Sequence, residues 1–379
     1  MAPREQAVYP LSADPIQYGH INVIERALKV FGRIIVTIGN NAKKKYTFSI
    51  EERTDMASRA LAHLGDRVLV LPFYGLLVDF VRSQDIKIIL RGVRNSVIDF
   101  DFESIINQVN YNLDKEIESY ILFSDPKYSH ISSSTVKELT QAYSLEIHKY
   151  VPFPVKKKLE RKLLNQMRIG ITGEIGAGKS YVDKIFVECI RANDIPCYSI
   201  DLDSIGKRIL TELDTPLAVR TRAEVRALLW GDLYPKDHPV SIGRDSVLWS
   251  QPSYLQRFNE IMTQPFLIEI ASALRGLEGI IFINSAVFAE QGISYLCNNE
   301  VVLISADLEV RRTRLKERGY SSEEILKRID SQYSSERKKA IIEGEISKAR
   351  HGWLVELDNS EATRSGIQNF CLQEILAKW

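Results

Sequence analysis

At 379 residues the chain is too long for one ordinary core, and its length points to two or three domains. Hydrophobic residues at 45% and charged residues at 26% exclude a disordered or fibrous chain and fit a globular one. A formal net charge of +1 excludes a general attraction to nucleic acid or to a membrane surface, so small-molecule partners at local sites are expected.

Along the chain, strand-like apolar runs alternate with helix-period segments, the pattern of parallel α/β sheets. The opening "MAPREQAVYP" lacks the apolar stretch of a signal peptide. In the first half the strands read "AVYP", "RIIVTIG", "RVLVLP", "KIILRG" and "SYILF". Between the first two, "HINVIERALKVF" puts Ile21, Ile24, Ala27, Leu28 and Phe31 on one helical face. "SIEERTDMASRALAHL" opens with a capping box, Ser49 and Glu52. The longest apolar run, "VLVLPFYGLLV", is broken by Pro72 and Gly75 and is too short to span a bilayer.

Several strand ends in this half carry polar residues suited to phosphate. Gly19-His20 opens a helix, where a His can donate to an oxygen that gains charge. Alone, a His at a helix start reads more readily as structural. Lys43, Lys44 and Lys45 follow the second strand, and alone they read as a solvated run. Arg91 and Arg94 end the fourth strand, and Ser132, Ser133 and Ser134 precede a short helix. Four loops offering His, Lys, Arg and Ser to one sheet edge make a polyphosphate site.

A basic helix, "VPFPVKKKLERKLLNQ", closes the half, its charges expected on a solvated face. The strand "MRIGIT" begins at once, so the change of motif sets the expected domains at 1–164 and 165–379. "GITGEIGAGKSYV" then fits G-x-x-x-x-G-K-[ST] through Gly173, Gly178, Lys179 and Ser180, with Gly176 between. Its backbone N–H groups are expected to wrap phosphate oxygens, Lys179 to reach the β and γ phosphates, and Ser180 to offer a hydroxyl to Mg²⁺. Asp201 and Asp203 end the next strand, placed to hold metal or accept a proton. Arg314 and Arg318, one turn apart in "RTRLKERGYSSEE", suit a lid that meets transferred phosphate. The four cysteines, Cys189, Cys197, Cys297 and Cys371, form no CxxC pair, which favours inert thiols in a reducing, cytoplasmic compartment.

Residues 167–360 resemble dephospho-CoA kinases through "TGEIGAGKS", Asp201 and Asp203, Arg314 and Arg318, Gln332, and Asp358-Asn359 in "LDNS". The resemblance implies ATP and Mg²⁺, with Ser180 and Asp201 at the metal and Asp203 as base for a ribose 3′-hydroxyl. It also departs: the family's His-Pro appears as Gln264-Pro265, and "NSAVFAE" puts Asn284 in an acidic position while keeping Glu290. Residues 5–163 resemble bacterial phosphopantetheine adenylyltransferases through "YP…DP…GH", "KK…F…EER", "GLLVDF", "RGVR…DF…E" and "ISSS". By that likeness His20 and Lys44 stabilise the transition state, and Ser12 and Arg91 hold phosphate. Arg94, Glu103, Ser132, Ser133 and Ser134 would hold ATP. Here Leu11 replaces a glycine, Gln17 takes a Thr/His position, and one extra residue separates "RGVR" from Asp99-Phe100.

Together the resemblances imply two doubly wound α/β domains, a Rossmann-like nucleotidyltransferase followed by a P-loop kinase. They imply the last two steps of coenzyme A synthesis, and the hexamer that bacterial adenylyltransferases form. Two alternatives stay open: an adenylyltransferase carrying a catalytically degenerate kinase-like module, and a ligand-sensing protein with both sites degenerate.

Overall fold

The computed structural model describes residues 5–41, 44–93, 108, 111–230, 252–330 and 332–379. The chain divides into two compact units, Met1–Ala142 with Glu146–Leu159, and Tyr143–Leu145 with Glu160–Trp379.

The first unit is built on β1 (Gln6–Leu11), β2 (Arg33–Ile38), β3 (Val68–Pro72), β4 (Ile88–Val93) and β5 (Glu118–Phe123). All pairings are parallel, in the order β3-β2-β1-β4-β5. Val8, Ile35 and Ile89 pack against Val78 and Val81 of the helix Leu77–Ser83. Helix α1 (Tyr18–Ala27) buries the expected stripe, Ile21, Ile24 and Ala27, with Leu28 and Phe31 beyond its end. The capping box forms at α2 (Ile50–Leu61): Glu52 N–H reaches Ser49 Oγ at 3.2 Å, and Ser49 N–H reaches Glu52 Oε2 at 2.8 Å. The chain runs outward from β1 to β3, then returns to place β4 on the other side of β1. The carboxyl ends of β1 and β4 therefore flank the point where strand order reverses, the usual ligand crevice of such sheets. Helix α3 (Ser133–Gln141) begins beyond β5.

Helix α4 (Phe153–Leu164) departs from the expected solvated basic face. Lys158 and Lys162 are exposed, but Lys156 and Glu160 are buried. Glu160 pairs with the equally buried Arg168 at 2.8 Å and accepts from Asn298 Nδ2 at 2.7 Å. A buried carboxylate needs such partners, which is why Glu160 divides with the second unit.

That unit carries β6 (Gln166–Gly173), β7 (Cys197–Asp201), β8 (Gly279–Asn284), β9 (Glu300–Ser305) and β10 (Trp353–Asp358), all parallel, in the order β10-β9-β6-β8-β7. Every residue of β6 and β8 is buried, as central parallel strands require. Alternation along the strands builds two cores. Met167, Ile169, Ile171, Ile280 and Phe282 meet α5 (Lys179–Arg191) on one face. Ile281 and Ile283 meet α6 (Leu202–Thr211), α7 (Pro216–Trp230) and α8 (Pro252–Leu274) on the other. Gln264-Pro265 lies inside α8. Helices α9 (Leu308–Glu317) and α10 (Ser335–Ala349) complete the frame used below. All four cysteines are buried and unbridged. Among the described residues, no helix is long and apolar enough to cross a membrane.

Candidate active sites

In the first unit, the strand-order reversal opens a cavity of about 610 Å³. Its lining includes Ser12 after β1, His20 on α1, Lys44 after β2, Arg91 on β4, and Ser132, Ser133 and Ser134 at the start of α3. The structure thus brings Ser12, His20, Lys44, Arg91 and the three serines together, while Lys45, beside Lys44, is exposed and does not line the cavity. Lys43, Arg94 and Glu103 lie outside the described residues.

His20 is oriented by the helix start. Gln17, buried at the N-cap of α1, accepts the Gly19 N–H, and His20 Nδ1 accepts the Gln17 N–H at 3.3 Å. With Nδ1 an acceptor, the ring proton belongs on Nε2. Gln17, which replaces the family's Thr or His, therefore serves as the cap. At α3, Ser132 Oγ accepts the Thr135 N–H at 3.0 Å and Ser133 Oγ donates to the Pro15 carbonyl at 2.8 Å. Those hydroxyls brace the turn.

Two supports carried no role in the sequence reading. Arg53, buried within "EER", donates to the carbonyls of Ser12 (2.5 Å), Gly39 (3.0 Å) and Phe48 (3.2 Å), and to Asn40 Oδ1. Asp14 accepts the N–H groups of Thr47 and Phe48, each at 3.0 Å, and pairs with Lys137 at 2.8 Å. These two side chains tie the loops after β1 and β2 to each other. Spacing alone gives no sign of them, since the tied segments are some 40 residues apart.

In the second unit the loop Gly173–Ser180 joins β6 to α5. Gly173 has φ 149° and a Cβ there would strike the Ile304 carbonyl, while Gly178 caps α5 with φ 90°. Only glycine takes both positions without strain. Lys179 Nζ donates to the carbonyls of Gly173 (3.0 Å) and Glu174 (3.3 Å). Burial pulls its ammonium down to about 8, Asp203 acts in the opposite sense, and Lys338, Arg318 and Arg311 add to the lowering. Ser180 is exposed at the helix start.

Asp203 opens to solvent at the carboxyl edge, yet surrounding protein holds its carboxyl above the ordinary range. Asp201 pushes the same way, and Lys179 pulls back. Asp201 Oδ1 caps α6 by accepting the Asp203 N–H at 3.0 Å. Ser285 Oγ donates to Asp203 Oδ1 at 3.4 Å. Asn284 is buried at the end of β8, opposite Asp201 in register.

Arg314 lies against the glycine-rich loop. It donates to the carbonyls of Ala177 (3.2 Å) and Asn359 (2.7 Å), so it supports the glycine-rich loop directly. Asn359 Nδ2 joins it on the Ala177 carbonyl at 2.8 Å. Arg318, one turn on, is exposed. Gln332 accepts the Ile175 N–H at 2.9 Å. The sequence reading missed Arg311, three residues before Arg314, which donates to the Ile175 carbonyl at 3.0 Å and pairs with Glu174 at 2.7 Å.

Comparison with known proteins divides the chain the same way. Residues 8–139 match the cytidylyltransferase-like family and residues 167–347 the dephospho-CoA kinase family. Among solved structures, the chain is similar to TT1252 from Thermus thermophilus, at 23% identity over 56% of this chain and 98% of that one, with a TM-score of 0.43. It is also similar to the lipopolysaccharide core biosynthesis protein from Thermoplasma volcanium GSS1, at 16% identity over 32% and 97%, with a TM-score of 0.26. On the two family matches, the chain joins a cytidylyltransferase-like domain to a dephospho-CoA kinase domain, the architecture of a phosphopantetheine adenylyltransferase–dephospho-CoA kinase fusion.

Proposed function

We propose that the chain carries out the last two steps of coenzyme A synthesis, one in each domain, with boundaries at 1–164 and 165–379. In the first, the 4′-phosphate of phosphopantetheine attacks the α-phosphorus of ATP and pyrophosphate leaves, giving dephospho-CoA. His20 donates from Nε2 to the phosphoryl oxygen that gains charge, and Lys44 and Arg91 add positive charge around it. Ser12, Arg94, Glu103 and the Ser132–Ser134 turn hold the substrates. Positioning and charge stabilisation carry the step without a covalent enzyme intermediate.

In the second, the ribose 3′-hydroxyl of dephospho-CoA takes the γ-phosphoryl of another ATP, giving CoA and ADP. Gly173, Gly176 and Gly178 let the loop wrap the triphosphate, and Lys179 neutralises it. Asp203 takes the hydroxyl proton. Its raised pKa suits a group that must hold that proton. Arg314 and Arg318 add charge beside the phosphates. Among the described residues no group of three or more His, Cys, Asp or Glu is placed to hold a metal. The Ser180 hydroxyl and the Asp201 carboxylate are the oxygen donors that would hold a Mg²⁺, a hard cation. Such an ion supplies charge neutralisation at the phosphates.

The observation that carries this reading is the convergence of His20, Lys44 and Arg91 on one cavity in a chain that also carries the Gly173–Ser180 loop at the start of α5. Four buried thiols without bridges support a reducing compartment, the cytoplasm. By likeness, the first domain assembles as a hexamer, and a monomer mass by light scattering would refute that. The test of function supplies phosphopantetheine and MgATP and resolves the products by mass. CoA and pyrophosphate are expected. Dephospho-CoA accumulating without CoA would favour the degenerate-module alternative.

A further inference from the structure

Helix α10 presents Ser335 and Lys338 on one face, three residues apart. Ser335 Oγ donates to Glu174 Oε2 at 2.7 Å, a residue of the glycine-rich loop. Lys338 is wholly buried and donates to Glu290 and, at 2.6 Å, to the carbonyl of Ala286. One helical turn thus touches both the phosphate loop and the turn that follows β8.

The Ala286 carbonyl belongs to the same peptide plane as the Val287 N–H. That N–H donates to Ser285 Oγ at 3.2 Å, and Ser285 Oγ donates to Asp203 Oδ1 at 3.4 Å. A relay therefore runs from the Lys338 ammonium through one peptide group and one hydroxyl to the carboxylate that faces the acceptor. Neutralising Glu290 alone would need one contact. The second contact fixes the peptide that seats Asp203.

We infer that Lys338 is a positioning residue of the second site, holding the Ser285–Val287 turn so that Asp203 is aimed at the acceptor hydroxyl; this rests on the kinase reading above. Lys338 is wholly buried and so offers no surface to a ligand. Its loss should lower kcat for CoA formation and spare ATP recognition.

The experiment measures kcat and the KM for ATP of the dephospho-CoA to CoA step in the full chain. Lys338→Met should lower kcat about tenfold or more, since small displacements of a reacting group carry costs of that order, with the KM for ATP little changed. Because that variant leaves the half-buried Glu290 without its cation, Lys338→Met/Glu290→Gln removes both charges; its thermal stability should recover while kcat stays low. Lys338→Arg, still able to donate to the carbonyl, should keep most of kcat. Ser285→Ala cuts the next link, and combined with Lys338→Met it should be no worse than either alone. Full kcat in the neutral double variant would overturn the inference and leave a structural ion pair. A KM for ATP that rises in step with the loss of kcat would overturn it in favour of a displaced phosphate loop. A wild-type chain that forms no CoA would overturn the kinase reading and this inference together, whereas an active wild type with an indifferent Lys338→Met overturns this inference alone.

Discussion

The two proposed sites gather positive charge in opposite ways. The second concentrates its phosphate groups in one continuous loop, Gly173–Ser180, where backbone N–H groups and Lys179 come from neighbouring residues. The first assembles His20, Lys44 and Arg91 from a helix, a loop and a strand around a cavity, each on its own side chain. A loop of the first kind needs glycines to turn, so its chemistry is written as a local motif. A site of the second kind depends on whatever holds distant loops in register. Here that is Arg53 and Asp14, buried or nearly so, which make no motif at all.

If the sites are independent, damage to one must spare the other. The largest expected effect is at the continuous loop: Lys179→Ala should abolish conversion of dephospho-CoA to CoA while pyrophosphate release from phosphopantetheine and ATP stays near normal. Asp203→Asn keeps the shape of the site and should lower the same step by about 10²–10⁴-fold, the usual worth of a general base. Assaying both half-reactions on each variant checks this. A soluble Lys179→Ala protein that loses both activities would mean one composite site.

At the dispersed site, His20→Ala removes one donor among several charges, so a smaller loss is expected, about 10²-fold or more in dephospho-CoA formation. CoA formation from supplied dephospho-CoA should be unchanged. Unaltered adenylyl transfer in a folded His20→Ala protein would remove the role given to that ring.

The same contrast governs what the sequence made legible. Both parallel sheets follow from the alternation of apolar runs with helical segments, because buried parallel strands must be apolar on both faces, as β6 and β8 are. The glycine-rich loop is legible for the reason just given. His20, Lys44 and Arg91 are legible as residues, but only strand order places them on one cavity, and that order is non-local. Arg314 is legible as a charge and not as a support, since donation to the Ala177 carbonyl depends on packing between α9 and the loop. The basic helix misleads for a related reason. Whether Glu160 faces water is decided by what docks on it, here Arg168.

Arg53 gives the next test, one of stability. Arg53→Met deprives three carbonyls and the Asn40 side chain of their donor. Each orphaned group costs about 1–3 kcal/mol, part of which rearrangement recovers. The first domain should therefore melt several degrees lower and lose adenylyl transfer, with kinase activity intact. A single melting transition displaced as a whole, with both activities falling together, would mean that the domains do not fold as separate units.

The smallest effect is a pH dependence confined to the continuous loop. Burial holds the Lys179 ammonium at about 8 in the nucleotide-free chain, and a triphosphate beside it favours the charged form, raising that value on binding. Below pH 8 the lysine is charged in both states and adds no pH dependence. Above pH 8 the free site loses its proton while the bound site keeps it, so binding must take up a proton and weakens as pH rises. With dephospho-CoA supplied, the first site stands idle, and the KM for ATP of CoA formation should climb about tenfold between pH 8 and 9.5. Lys179→Arg keeps a cation that does not titrate in this range, so its KM for ATP should be flat over the same interval even if higher throughout. A wild-type profile as flat as that of the arginine variant would show that the loop does not lower Lys179. The distinction between a half-buried loop lysine and the exposed Lys44 of the first cavity would then lose its chemical consequence.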